Sequence, residues 1–155
     1  MRLDQIFKTE FLLENLASGN KKDVLGELID VMIKNGLKIN SDKAIDVLLQ
    51  REKLGSTGIG EGVAIPHGKV SDLQELVVAF GRSKKGIDFD AIDGKPVHLF
   101  FLLLAPESST GQHLKALARI SKMLKTPNFR KTLLEAKSRN DLYKAIVEQD
   151  ETCLA

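Results

Sequence analysis

The chain has 155 residues, 43% of them hydrophobic, which suits one domain spanning 1–155 with a single core, expected at about 20–150. Its 23 basic and 21 acidic residues leave a net charge of +2 spread along the sequence, without the basic stripe of a nucleic-acid binder. The lone Cys153 excludes an internal disulfide or a cysteine metal cluster and fits a reducing, cytoplasmic setting, while the longest apolar run, Leu99 to Ala105, is too short for membrane insertion and Asp4 and Glu10 stand where a secretory signal would be apolar.

After an N-terminal segment whose form the sequence leaves open, Lys21 to Asn35 puts Val24, Leu28, Val31 and Met32 on one helical face, and Gly36 supplies a stop. Ser41 can cap a second helix with Ile45, Leu48 and Leu49 as its buried stripe. Gly55 ends it, which leaves Arg51 in the last turn, ahead of a glycine-rich loop. Val63 to Ile65, Leu76 to Arg82, Ile87 to Phe89 and Val97 to Leu104 read as strands, with Asp93-Gly94 a turn signal between the last two. The stretch VHLFFLLL is apolar on both faces and belongs at the sheet centre. His113 to Leu124 then places Leu114, Leu117, Ala118 and Leu124 at helical spacing, capped by Thr110 or a neighbour, so His113 falls in the first turn. Thr126-Pro127 opens another helix, and Ser138-x-x-Asp141 starts the last, carrying Leu142, Ala145 and Ile146. Strands interleaved with helices imply an α/β fold: a single layered domain with a mixed β-sheet flanked by helices on both faces.

The stretch GSTGIGEGVAIPHGK, Gly55 to Lys69, presents His67 on a Pro-Gly corner where Pro66 fixes φ and Gly68 relaxes the backbone. A neutral imidazole there is a nucleophile at pH 7 without an activating base. The loop is not a dinucleotide fingerprint, because it follows a helix and precedes a strand, and Gly55, Gly58, Gly60 and Gly62 do not give G-x-G-x-x-G. Nor is it a P-loop: five residues separate Gly62 from Gly68 where four are required, and Val70 stands where a Ser or Thr would hold magnesium. No carboxylate cluster has metal-like spacing, so neither cofactor nor metal is expected, and a phosphoryl group would come from another protein.

Phosphoryl transfer is chiefly positioning plus charge stabilisation, so an acceptor histidine wants cations or N–H donors around it. Arg51 offers a planar fork for phosphate oxygens, though a surface arginine beside Glu52 would look the same in sequence. His113, at a helix start, would sit in positive potential that favours an anion, or it could be a satisfied helix-start residue. His98, at the beginning of the central strand, reads as structural. Ile59, Val63 and Ile65 could supply apolar ground for a partner, burial in the core being equally open for Val63 and Ile65.

Three stretches carry a resemblance: REKLGSTGIGEGVAIPHGK from Arg51, GRSKKGIDFDAIDGKPVHLFFLLLAP from Gly81 and HLKALARISKML from His113. They resemble the enzyme IIA domains of the bacterial phosphotransferase system, in the mannitol, fructose and nitrogen-regulatory branch, over nearly the whole chain. That resemblance implies a mixed sheet flanked by helices. It makes His67 the phosphoryl acceptor, as a tele-phosphohistidine, with His113 as the second active-site histidine and Arg51 as support for the phosphoryl group. The donor it implies is an HPr-like phosphocarrier protein. The stand-alone length and the lack of a IIB-like context around Cys153 resemble the nitrogen-regulatory type, whose phosphorylation state controls regulatory target proteins. The alternative is a sugar-specific IIA that passes the group to a separate IIB domain. A binding module of the same fold that receives no phosphate is a third reading, one that loss of His67, His113 or Arg51 would have favoured.

Overall fold

The computed structural model describes residues 2–154, with the side chain of residue 154 outside the description. A 3-10 turn at Leu3–Gln5 leads into β1 (Phe7–Leu13), followed by helices α1 (Lys21–Lys34) and α2 (Ser41–Lys53). Short strands β2 (Gly58–Gly60), β3 (Val63–Ala64) and β4 (His67–Lys69) precede the long pair β5 (Val77–Ile87) and β6 (Val97–Ala105), and helices α3 (Thr110–Leu124), α4 (Pro127–Glu135) and α5 (Arg139–Leu154) complete the described chain.

The six strands form one mixed sheet in the order β1-β5-β6-β3-β2, with β4 also paired to β6. The segment β6 is central, as its double-sided apolar pattern implies: Leu99 to Ala105 are all buried, with β5 antiparallel along one edge and β3 and β4 parallel along the other. Those two short strands are consecutive pieces of one ladder interrupted at Ile65-Pro66. Pro66 has no amide to give that ladder, and only its carbonyl takes part, accepting from the Leu103 amide at 2.9 Å.

Helices cover both faces. On β5, a Cβ at Gly81 would meet Leu16 and Leu28 of the α1 side, while the next side chain, Arg82, donates to carbonyls of Leu133 and Ala136 at the end of α4. Successive strand residues point to opposite faces, so α1 and α2 lie on one side and α3, α4 and α5 on the other. The core runs through both layers, from Phe7, Leu12, Leu28 and Leu48 to Phe80, Phe101, Ile120 and Ile146.

Several sequence expectations need correction. The open N-terminal segment contains β1, an edge strand parallel to β5, whose interrupted register hides the two-residue period. The expected strands at Leu76 to Arg82 and Ile87 to Phe89 are one strand with a register shift between Arg82 and Ile87, and the bulge breaks the apolar alternation that would have joined them. Asn40, not Ser41, caps α2, its side-chain oxygen accepting from the Lys43 amide at 3.0 Å. The inward face of α3 is His113, Ala116, Ile120 and Met123, whereas Leu114 is 62% exposed; a histidine holding a core-facing position rotated the apparent stripe.

Candidate phosphoryl-acceptor site

The corner around His67 is more regular than its sequence implies. His67 opens β4 opposite Leu103 of β6, and Gly68 does not have the left-handed backbone that would require glycine. Glycine is needed there for space: a Cβ on Gly68 would lie 2.6 Å from Cγ1 of Val47 in α2. Because Gly68 faces α2, its neighbours His67 and Lys69 face the opposite layer, toward α3.

There the two histidines meet. The His67 and His113 rings are 5.4 Å apart between centroids with planes at 75°. Lys69 Nζ donates to Thr110 Oγ1 at 2.7 Å, joining β4 to the first residue of α3. Sequence reasoning gave Lys69 no role; the signal was its i, i+2 spacing from His67, which puts both on one face once β4 is recognised as a strand.

His67 is half-buried, and its Nδ1 lies 2.8 Å from the Ile65 carbonyl. A carbonyl only accepts, so Nδ1 carries the ring proton and Nε2 is left with its lone pair. Burial lowers the His67 pKa below the ordinary histidine value; the Nδ1 hydrogen bond opposes this, the Arg51 charge lowers it further and Glu52 acts against that. The His113 pKa is lowered too, by burial first and then by His67 and Lys69. His113 is 7% exposed, and its Nε2 has no hydrogen-bond partner among the described residues. Both rings are thus neutral at pH 7, each with a nitrogen uncommitted to the fold.

Arg51 sits in the last turn of α2, half-buried, with Nη1 donating to the Gly55 carbonyl at 2.8 Å. It is close enough for its charge to act on His67. Its neighbour Glu52 does not lie on a solvated helix face: it is buried and takes the Thr57 amide at 3.1 Å, the Thr57 hydroxyl and Lys21 Nζ at 3.3 Å.

The glycine-rich loop is not an open anion cradle. The amides of Gly55, Thr57, Gly58 and Glu61 are taken by the Glu52 carbonyl, the Glu52 carboxylate, Ser56 Oγ and Asp93 respectively. Its left-handed run, Gly60, Glu61 and Gly62 with φ of 93°, 57° and 76°, makes the tight turn between β2 and β3. The groups gathered around His67 are instead Arg51, whose charge acts on it, the His113 ring and, through the Lys69–Thr110 bond, the start of α3.

His98 is far from this cluster. Its Nδ1 bonds the Ser83 carbonyl at 2.8 Å, and it lies five residues along β6 from the partner of His67, roughly 17 Å at strand spacing. Val63 and Ile65 are buried, Ile59 is exposed, and Leu54, Ile92 and Leu114 are exposed on the segments around Arg51, Gly58 and His113. Among the described residues no group of His, Cys, Asp and Glu could hold a metal, and no helix is long and apolar enough to cross a membrane.

Residues 5–149 match the family described as "Phosphoenolpyruvate-dependent sugar phosphotransferase system, EIIA 2". The chain is 41% identical to a nitrogen regulatory protein of Bradyrhizobium diazoefficiens, over 94% of this chain and 95% of the relative. It is 39% identical to the fructose-specific EIIABC component of Bacillus subtilis over 97% of this chain, and spans only 24% of that relative's length. The crystal structure of the nitrogen regulatory protein IIA-Ntr from Neisseria meningitidis superposes with a TM-score of 0.84 at 34% identity, covering 92% of this chain and 97% of the other.

Proposed function

The chain belongs to the EIIA 2 family of the phosphoenolpyruvate-dependent sugar phosphotransferase system, and from that premise we propose that it carries a phosphoryl group on Nε2 of His67 as a cytoplasmic regulatory protein of the nitrogen-regulatory type. The observation that carries the site assignment is the 2.8 Å bond from Nδ1 of His67 to the Ile65 carbonyl, which leaves Nε2 bare beside His113.

In the reaction, the Nε2 lone pair attacks the phosphorus of a phosphohistidine on an HPr-like carrier. The new Nε2–P bond forms as the carrier's N–P bond breaks, and that electron pair returns to the carrier's ring nitrogen. No proton has to move, because Nδ1 keeps its hydrogen throughout. The lowered pKa of His67 favours the neutral nucleophile. Arg51 supplies a cationic fork for the equatorial oxygens, His113 presents a buried ring nitrogen, and α3 adds the positive end of its dipole. A carrier needs apolar ground to land on, and exposed Leu54, Ile92 and Leu114 provide it close in sequence to Arg51, Gly58 and His113.

Full-length cover of the Bradyrhizobium protein supports the regulatory role. The similarity to the fructose-specific component supports a second reading, in which the group passes on to a cysteine of a separate IIB. Incubation with enzyme I, an HPr-like carrier and labelled phosphoenolpyruvate tests the site: wild type is labelled and His67→Ala is not. Equal labelling of both removes His67 from the reaction. Transfer of the label to an added fructose-type IIB at a rate matching its formation would favour the sugar reading over the regulatory one.

A further inference from the structure

The bond that fixes the His67 ring is the last link of a longer chain. Lys21 Nζ, 4.7 Å from the Phe89 ring centroid and paired with Asp90, donates to Glu52 at 3.3 Å. The Glu52 carboxylate also accepts from the Thr57 amide and hydroxyl. The Thr57 carbonyl accepts from the Ile65 amide at 3.0 Å, and the Ile65 carbonyl accepts the Nδ1 proton of His67 at 2.8 Å. Every acceptor in this series is a carboxylate or a carbonyl that can only accept, so the direction of each link is fixed.

We infer that Glu52 is a positioning residue for phosphoryl transfer, holding the His67 imidazole through Thr57 and Ile65 in the tautomer and orientation that leave Nε2 bare. The inference rests on His67 being the acceptor. Its physical basis is the cost of an unpaired buried carboxylate: Glu52, with a side chain 3% exposed, leaves the loop only those conformations in which Thr57 meets it. Thr57 then fixes Ile65, and Ile65 fixes the ring. Without a fixed acceptor at Nδ1 a neutral imidazole divides between two tautomers, and only one has its lone pair on Nε2. Glu52 does not touch the transferred group, since both its oxygens are occupied within the fold.

The test uses the full chain and reads two quantities: the nitrogen NMR shifts of the His67 ring, which report its tautomer, and the rate of labelling by a phosphorylated HPr-like carrier. In Thr57→Val and Glu52→Gln the single Nδ1–H tautomer is expected to give way to a mixture, and labelling to slow on the order of tenfold or more. Thr57→Ser keeps both donors and restores both readouts. The Thr57→Val and Thr57→Ser pair carries the test where Glu52→Gln does not fold, with the thermal melt as the check. Variants that keep the wild-type tautomer and rate overturn the inference. Failure of wild type itself to be labelled on His67 is a different outcome, because it removes the acceptor assignment on which the inference stands.

Discussion

The imidazoles of His67 and His113 meet edge to face with centroids 5.4 Å apart, and the Lys69–Thr110 hydrogen bond ties the strand that carries one to the helix that carries the other. Protonating either ring would place a cation against its neighbour, with Arg51 adding like charge to His67 and Lys69 to His113. Burial acts in the same direction on both. The pair is therefore built to stay neutral.

A pH dependence follows with a definite sign. Both native pKa values lie below the ordinary value near 6.5, so between the native and unfolded values the unfolded chain binds more protons, and stability rises with pH there. This contribution is level above about 6.5, falls as the pH drops below it, and levels again below the native values. Proton NMR titration should show both rings with midpoints below 6.5, and urea unfolding between pH 5 and 8 should lose part of its acid-side slope in a His67→Gln, His113→Gln double variant. Midpoints above 6.5 would contradict the burial argument.

Arg51 is the case in which chemistry and stability should separate. Among the described residues its one hydrogen bond is to the Gly55 carbonyl at the helix end, so Arg51→Ala should change unfolding free energy by about 1 kcal/mol or less. Transfer onto His67 should nevertheless slow by about 10-fold or more, as expected for losing a charge-assisted contact worth at least about 1.4 kcal/mol. Arg51→Lys keeps the charge and loses the fork, so it should fall between the two. Rapid-quench labelling alongside thermal melts measures both effects, and an Arg51→Ala protein with wild-type kinetics would make this a helix-end residue only.

The architecture and the histidines were legible in the sequence because period and punctuation are local signals. The stop at Gly36, the Thr126-Pro127 start and the Ser138 cap, which accepts from the Asp141 amide at 3.1 Å, all occur within one turn of chain. What escaped was set by tertiary contact. The strand β1 has its partner far along the chain in β5, Glu52 is buried only because Lys21 and Thr57 come to it, and Gly68 is required by Val47 of another element. The same limit hid the state of the glycine-rich loop, since nothing in its sequence says that Glu52 and Asp93 would occupy its amides.

Arg82 should be a structural keystone distant from the chemistry. It is 2% exposed and donates to the carbonyls of Glu14 at 3.1 Å, Leu133 at 2.9 Å and Ala136 at 2.6 Å, closing the end of α4. Arg82→Ala strands those carbonyls and should destabilise the fold by about 2–4 kcal/mol in urea unfolding. Below the shifted melting transition, His67 should still accept phosphate at close to the wild-type rate. A loss of transfer without a loss of stability would contradict this placement.

Gly68→Ala should couple the two properties that Arg51 and Arg82 keep apart. The added methyl would sit 2.6 Å from Val47 Cγ1, so either α2 or β4 must move. Overpacking of this kind costs about 1–3 kcal/mol. Because β4 also carries His67 and Lys69, the strand cannot shift without moving the acceptor ring, so the transfer rate should fall as well. Val47→Ala in the same chain makes room for the methyl and should recover both. Recovery of stability alone would mean that β4 had not moved.

His113 poses the opposite trade. Its buried Nε2 has no partner among the described residues, and an unpaired buried polar atom costs about 1–3 kcal/mol. An apolar residue of comparable reach removes that cost, so His113→Leu should leave the unphosphorylated protein as stable as wild type or more so. The same change takes away the imidazole packed against His67, and transfer onto His67 should slow while hydrolysis of any phosphohistidine formed should quicken. Natural sites that keep a destabilising polar group generally do so for activity. Thermal melts and a chase of the labelled protein measure the two sides. A His113→Leu protein that is less stable yet transfers at the wild-type rate would make the ring a packing residue, and the edge-to-face contact with His67 incidental.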